Sequence, residues 1–466
     1  MKKKYVVWAA VVLSVILCTS VFAGCRPNVI KRSPLDYDVN LNIDKDIKET
    51  LTLMIPNDDG DVERDYIESL RQGFKELYPN VTIKFDARAV TGEQYATSVA
   101  SAVSSGNVPD LFWTQSPYYY YLMSKGVAVN LEPYYAAAKE AKTLDLENDY
   151  YKAFFDMSLY EERRYVVPRS MDSVVTFYNT EFLAAAGIDP ATDPRMRDDW
   201  TWEDLISLCS DVSDFILSDA GKKAGYGSAY ALQAEFDWEA VFNPIMVSYG
   251  AEIFDKEGNI TVNTPEMKKM ADDLRALKEN GRILKDTAGM GSSAGFTNGQ
   301  IAFHFSSSGP STMARNLQIK DKFDALPFPL IGEKPAIGCG FVGYAISATA
   351  TGVKRDLAWA FLQYMISREG QMALINGGLA TPSIRLDLAA EKSWSKGYDN
   401  LNLDAWLVHE DKKVATNFYM RQKPEYMFDC LTSVQAFMKK VTEDTNKTTT
   451  RCIQELEEKL REALNA

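Results

Sequence analysis

"PDLFWTQSPYYYYLMSKG", Pro109 to Gly126, sets an apolar strand, a polar loop and a helix in direct succession. "DLFWT" reads as a buried strand. Ser116 can cap the following helix, Pro117 suits its first position, and Gly126 suits its exit. The loop Thr114–Ser116 then falls at the carboxyl end of a strand and the amino end of a helix. In open α/β sheets that rim is where ligands bind. Tyr118 to Tyr121 cannot all face one way on a helix, so one or two at most reach such a rim.

The same alternation extends upstream. "TLTLMIP" reads as a strand and "NDDGD" as a loop. From Val62 to Tyr78, residues Tyr66, Ile67, Leu70, Phe74 and Leu77 share one helical face, and Pro79 stops the helix. "VTIKFDA" is the next strand, and a helix runs from Glu93 to about Ser105. Strand alternating with helix predicts an α/β fold with a largely parallel sheet. Downstream, "SVVTFYN" is a strand, and "TWEDLISLCSDVSDFIL" opens with a capping box, Thr201 to Asp204. A hairpin turns at Gly258, and the next helix is capped by Thr264 and Pro265 and closed at Gly281. "QIAFHFSS" is a strand, "KFDALPFPL" and "GYAISA" flank a Gly-rich loop, and the remaining chain is mainly helical.

At 466 residues the chain exceeds one ordinary core, so two or more lobes are expected. The 46% hydrophobic and 25% charged fractions are those of a folded, soluble body. Net charge is -13, and -16 without Lys2, Lys3 and Lys4, the only charges before Cys25. So acidic a surface repels phosphate backbones, which argues against a nucleic-acid partner.

"MKKK" followed by "YVVWAAVVLSVILCTSVFAG" reads as an export signal or signal anchor, and the polar "RPNVIKRSPLDYDVNLNIDKD" as a tether. "FAGC", Phe22 to Cys25, resembles a bacterial lipobox, which implies lipidation at Cys25. Phe22 stands where leucine is usual. Four cysteines remain in the body: Cys209, Cys339, Cys430 and Cys452. None has metal-binding spacing, and a body of this size needs no staples, so they read as buried free thiols rather than disulfides.

His304 and His409 are the only histidines, and no GxSxG, HExxH, Walker or GxGxxG pattern occurs. His304 lies in an apolar strand and reads as a core group. Two carboxylates suffice for a glycosidase, so enzyme activity is unsupported rather than refuted. No cofactor or metal site is expected. Sugar binding needs aromatic platforms beside Asp, Asn, Gln or Arg partners. Several loops combine those types: "PNDDG", "WTQS", "PRSMDS", "EFDWEAVF", "SSSGP" and "GCGFVGY". Any one aromatic in them is more often core than platform.

Six pieces occur in a telling order. They are "GNVPDLFWTQSPYYYYLMSKGVAVNLEPY", "RRYVVPRSMDSVVTFYNTEFLAAAGIDP" with "DDWTWEDL", "FTNGQIAFHFSSSGPSTM", "LPFPL", "GCGFVGYAISATATGVKRDLAWAFLQYMIS" and "GGLATPS". From about Lys48 to the C-terminus the chain resembles the family 1 extracellular solute-binding proteins, the carbohydrate receptors of ABC importers. The resemblance implies an α/β fold of two lobes closing like a hinged clamp, with crossings near Val175–Asn179, Ala302–Phe305 and Ala345–Ala348. It implies sugar contacts from Asn57, Asp58 and Asp59, from Thr114 and Gln115, and from Asp172, Trp238, Ser307, Ser308, Gly340 and Phe341. Arg169 and Arg385 lie near such loops and join the list.

The expected division has a signal peptide at 1–24 and a flexible tether at 25–47. Residues 48–176 with 305–346 form the first lobe, and 177–304 with 347–466 the second. The expected role is a monomeric, non-enzymatic carbohydrate receptor, lipid-anchored outside the cell and serving an ABC permease. A sugar sensor for a membrane kinase and a secreted carbohydrate-active enzyme are the alternatives.

Overall fold

The computed structural model describes residues 34–56, 62–90, 92–106, 109–116, 118–285, 294–314, 322–444 and 446–465. The expected signal peptide, Cys25, Asn57, Asp58 and Asp59 lie outside the described residues.

Two sheets organise the chain. The first begins as read from the sequence: β1 (Glu49–Pro56), α1 (Val62–Leu77), β2 (Val81–Arg88), α2 (Gly92–Ser105) and β3 (Leu111–Gln115). β1 pairs in parallel with both β2 and β3, and its Leu51, Leu53, Met54 and Ile55 are fully buried. Ile67, Leu70 and Phe74 carry the apolar face of α1 into this core. After β3 come α3 (Tyr119–Ser124), α4 (Glu132–Glu140), the small hairpin β4 (Leu159–Tyr160) and β5 (Arg163–Arg164), and then β6 (Val166–Ser173).

The second sheet holds β7 (Val175–Asn179), β8 (Tyr230–Gln233), β9 (Ile301–Ser306) and β10 (Phe323–Pro327), in the order β10-β7-β9-β8. Its helices include α5 (Trp202–Leu217), α6 (Glu239–Ser248) and α7 (Pro265–Glu279). The Thr201–Asp204 capping box is present on α5, and the Thr264 hydroxyl caps α7 by accepting from the Met267 amide at 3.2 Å.

β11 (Ile337–Ile346) returns to the first sheet, antiparallel to β3 and β6 and parallel to β12 (Lys413–Val414). This differs from the expected Gly-rich loop. Glycines are depleted in strands, but here they permit close approach. A Cβ on Gly338 would lie 1.7 Å from the Ala240 carbonyl oxygen, and one on Gly343 2.3 Å from that of Val167. With β11 inserted antiparallel between β3 and β6, and β12 running with β11, the first sheet is mixed rather than largely parallel.

The remaining helices are α8 (Gly352–Ile366), α9 (Arg368–Asn376), α10 (Met427–Glu443) and α11 (Thr449–Asn465). α9 packs on α1, and α8 on β6 and β1, so both belong with the first sheet. α10 and α11 pack on α7 of the second. Arg275 of α7 ties them together. Its buried guanidinium donates to the carbonyls of Lys440, Val441 and Lys447, satisfying acceptors at the end of α10.

The lobe division therefore corrects the expected one. β10 lies in the second sheet and α8 and α9 on the first, so neither 305–346 nor 347–466 belongs to one lobe. The crossings move too. Val175–Asn179 and Ala302–Phe305 are strands paired inside the second sheet, and Ala345 is paired inside the first. The chain crosses at Val174, whose amide donates to the Gly338 carbonyl at 2.8 Å, and again between Pro327 and Ile337. It reaches the second sheet once more by Leu403–Trp406, which packs on β10.

Of the expected tether, the described part from Pro34 onward is seated on the first lobe, with Ile43 buried. No helix of the described residues is long and apolar enough to cross a membrane.

Candidate functional site

Between the two sheets lies a cleft open to solvent, with an empty volume of about 530 Å³ that includes solvent space at its mouth. The first lobe supplies Gln115 and Ser116 from the end of β3, Asp172 from β6, and Gly338 to Phe341 from β11. Facing them are Trp238, Glu239 and Ala240 at the start of α6, Ser307 after β9, and Thr416. Val174, at the crossing, forms part of the floor.

The exit of β3 is pinned to β11. The Ser116 amide donates to the Phe341 carbonyl at 3.2 Å, and the Phe341 amide donates to Ser116 Oγ at 3.3 Å. Gly340 leaves room for that bond, because a Cβ would come within 2.7 Å of Ser116 Oγ and displace it. Ser116 spends its hydroxyl on β11 and makes no helix cap. α3 is flanked by Tyr118 with no side-chain cap.

Asp172 sits opposite Gly340 and is half-buried. Burial pushes its carboxyl up to about 6; Arg169 opposes that rise and Glu63 adds to it. Burial also raises the Glu239 carboxyl, against its own backbone amide and a hydrogen bond from Gln435. Trp238 immediately precedes α6, is half-buried and lines the cleft. The described lining residues include no lysine or arginine.

Of the residues named from sequence, the cleft gathers Gln115, Asp172, Trp238, Ser307, Gly340 and Phe341. Phe341 is only 1% exposed, with its ring edge-on to Tyr119 at 5.2 Å. It shapes the wall and offers no stacking face. Thr114 is buried in β3 opposite Gly343, and its hydroxyl has no partner among the described residues. Ser308 lies outside the lining and donates its amide to Ser306 Oγ.

Both arginines are structural. Arg169 is buried, and Nε and Nη2 bind the Glu63 carboxylate at 2.9 and 2.5 Å. Tyr344 donates to the same carboxylate, and the guanidinium lies 5.0 Å from the Tyr66 ring centre. Burial opposes the guanidinium charge, but Glu63 more than restores it and raises the Arg169 pKa. The network clamps the start of α1 to β6 and β11. Arg385 pairs with Asp387 and Tyr150 on another face of the first lobe.

Sequence reading put Ser116 in the rim loop without naming it as a contact, and it missed Glu239, Cys339 and Thr416 as lining residues. Ser116 and Glu239 adjoin residues that were named. Thr416 carried no local signal, because it arrives from far along the chain. The four described cysteines are free and buried, and burial pushes the Cys339 thiol up to about 12. His304 is a core group, lowered to about 4 by burial and stacked 5.6 Å from Phe296.

Comparison with known proteins accounts for this architecture. The model of the family described as bacterial extracellular solute-binding protein matches residues 59–372, more than half of the chain. A Brucella abortus protein named as a candidate binding protein is 21% identical over 217 residues, 46% of this chain and 47% of that protein. The chain thus spans about half the length of the curated relatives it matches. Among solved structures, the Listeria monocytogenes ABC substrate-binding protein Lmo0181, in complex with cycloalternan, has a TM-score of 0.71 at 17% identity. It covers 90% of this chain and 100% of its own. UgpB of Mycobacterium tuberculosis, in complex with glycerophosphocholine, has a TM-score of 0.70 at 16% identity, covering 89% and 98%. At such identities the likeness is one of fold: a two-lobed clamp.

Proposed function

The chain belongs to the bacterial extracellular solute-binding proteins, and from that premise we propose a carbohydrate receptor that delivers its ligand to an ABC-type permease. The ligand enters the cleft between the lobes, and Cys25 carries the lipid that keeps the receptor at the membrane. The observation that carries this reading is the composition of the cleft. The half-buried indole of Trp238 stands with Gln115, Ser116, Asp172, Glu239, Ser307 and Thr416, a mixture suited to a sugar's apolar faces and hydroxyl edges.

Charge separates sugar from the other ligand class this fold accepts. A net-anionic phosphodiester needs a countercharge, and the described lining has two carboxylates and no cation. A neutral sugar meets no such penalty. Because both lobes contribute contacts, bound ligand favours the closed state by its greater affinity for it. The reaction is binding alone: Trp238 stacks, and Asp172 and Glu239 accept hydrogen bonds from hydroxyls.

A thermal-shift screen of the purified protein against neutral mono- and oligosaccharides and glycerophosphodiesters tests this, since a ligand of the native state raises its apparent stability. The expected result is stabilisation by at least one neutral saccharide and none by the phosphodiesters. Stabilisation by phosphodiesters alone overturns the carbohydrate reading, and turnover of a glycan overturns the non-enzymatic one.

A further inference from the structure

The N-terminal arm is docked where sequence predicts a loose tether. Tyr37 donates its hydroxyl to the Asn130 carbonyl at 2.5 Å, and the Asn130 side-chain amide returns a bond to the Leu35 carbonyl at 2.7 Å. The Arg355 guanidinium lies 3.8 Å from the Tyr37 ring centre and donates to the Asp38 carbonyl at 2.9 Å. The other side of Tyr37 meets Tyr134 edge-on at 5.8 Å, and Tyr134 in turn stacks on Trp359. Asp356, itself buried, accepts from the Asn40 amide at 3.3 Å and from the Tyr134 hydroxyl at 2.5 Å. Further along, Ile43 is buried and Asn80 donates to the Asp46 carbonyl.

Every one of these partners belongs to the first lobe. Asn130 and Tyr134 stand at α4, and Arg355, Asp356 and Trp359 on α8. Docking is therefore independent of whether the cleft is open or closed. It also shortens the reach of an anchor. An unbound tether from Cys25 to Lys48 could extend roughly 80 Å, at about 3.5 Å per residue. With the arm seated from Pro34, nine steps of chain remain, about 30 Å fully extended.

We propose that the arm from Leu35 to Ile43 sets the receptor's orientation on a lipid bilayer, holding the α4 and α8 face of the first lobe toward the membrane. The second lobe is then the one that swings during opening and closure. The proposal rests on the reading that Cys25 is lipidated.

The four described cysteines of the body are buried, so an engineered surface cysteine can be labelled selectively. Lys139→Cys at the end of α4 and Lys223→Cys on the second lobe are both exposed positions. Each full-length, lipidated variant is reconstituted into phosphatidylglycerol vesicles, and energy transfer to a headgroup acceptor is measured. Transfer is expected to be greater from position 139 than from 223. That difference should be lost in a Tyr37→Ala, Arg355→Ala pair. It should also be lost when about twenty Gly/Ser residues follow Ser33, a change that leaves the body and the arm's contacts untouched. Mass spectrometry of the same samples reports on Cys25. An unmodified Cys25 overturns the anchor, whereas a lipidated Cys25 with equal transfer from both positions, or a difference that survives the insertion, overturns the orientation.

Discussion

Replacing Asp172 with asparagine removes a charge that the folded protein holds at a cost. Burial raises the carboxyl from 3.8 to about 6, while in the unfolded chain it titrates near the ordinary value of about 3.9. Between those two values the native state binds more protons than the unfolded state, so stability falls as pH rises through that window and levels off above it. The rise corresponds to about 3 kcal/mol if fully expressed. Asp172 is half-buried beside an open cleft, so water recovers part of that, and about 1–2 kcal/mol is the working figure. Asparagine keeps the shape without the charge. Asp172→Asn should therefore be more stable than the parent by that amount at pH 7.5, and the gap should narrow toward pH 5. Urea unfolding of both proteins at the two pH values measures it. The same variant should bind sugar more weakly at pH 7.5, because a charge-assisted hydrogen bond is replaced by a neutral one. A stability difference that is independent of pH, or a variant less stable than the parent at pH 7.5, refutes the argument.

Trp238→Ala should weaken binding of the saccharide selected by thermal shift more than tenfold, over about 1.4 kcal/mol, with far-UV circular dichroism unchanged; unaltered calorimetric affinity would remove the indole from the site. Glu63→Ala leaves the buried Arg169 guanidinium uncompensated and should cost about 3–5 kcal/mol in urea unfolding. A loss under 1 kcal/mol would mean that Arg169 finds another partner. Gly338→Ala drives a Cβ against the Ala240 carbonyl and should lower stability by about 1–3 kcal/mol while weakening saccharide binding, since β11 and α6 both line the cleft. Wild-type Cys209, Cys339 and Cys430, buried and raised in pKa, should react with a thiol reagent only after denaturation.

What was legible in the sequence was what short-range chemistry decides. β1 through β3 and their helices follow from apolar periodicity, and Thr201 with Asp204 closes its capping box within one turn. The loop after β3, expected at a rim from the order of strand and helix, and Asp172 and Trp238, expected from family resemblance, do line the cleft. Arg169 looked like a ligand contact because an arginine beside a candidate loop is ambiguous until its partner is known. That partner, Glu63, lies 106 residues away. "GCGFVG" looked like a loop because glycine is usually a poor strand former. Only the closeness of Ala240 and Val167 explains why a strand needs glycine there.

Local order therefore came from the sequence alone: alternating elements, capped helices, an acidic body, and a run of pieces sufficient to recognise the family. Periodicity and caps act within a few residues, so they can be read without knowing where the chain goes. Tertiary structure alone decided where the lobes divide, which tyrosines are spent on packing, and that the arm from Pro34 is docked. It also brought Thr416 beside Trp238 and Asp172. Those outcomes depend on contacts between residues hundreds of positions apart, whose free energy comes from burial and pairing that no local pattern encodes.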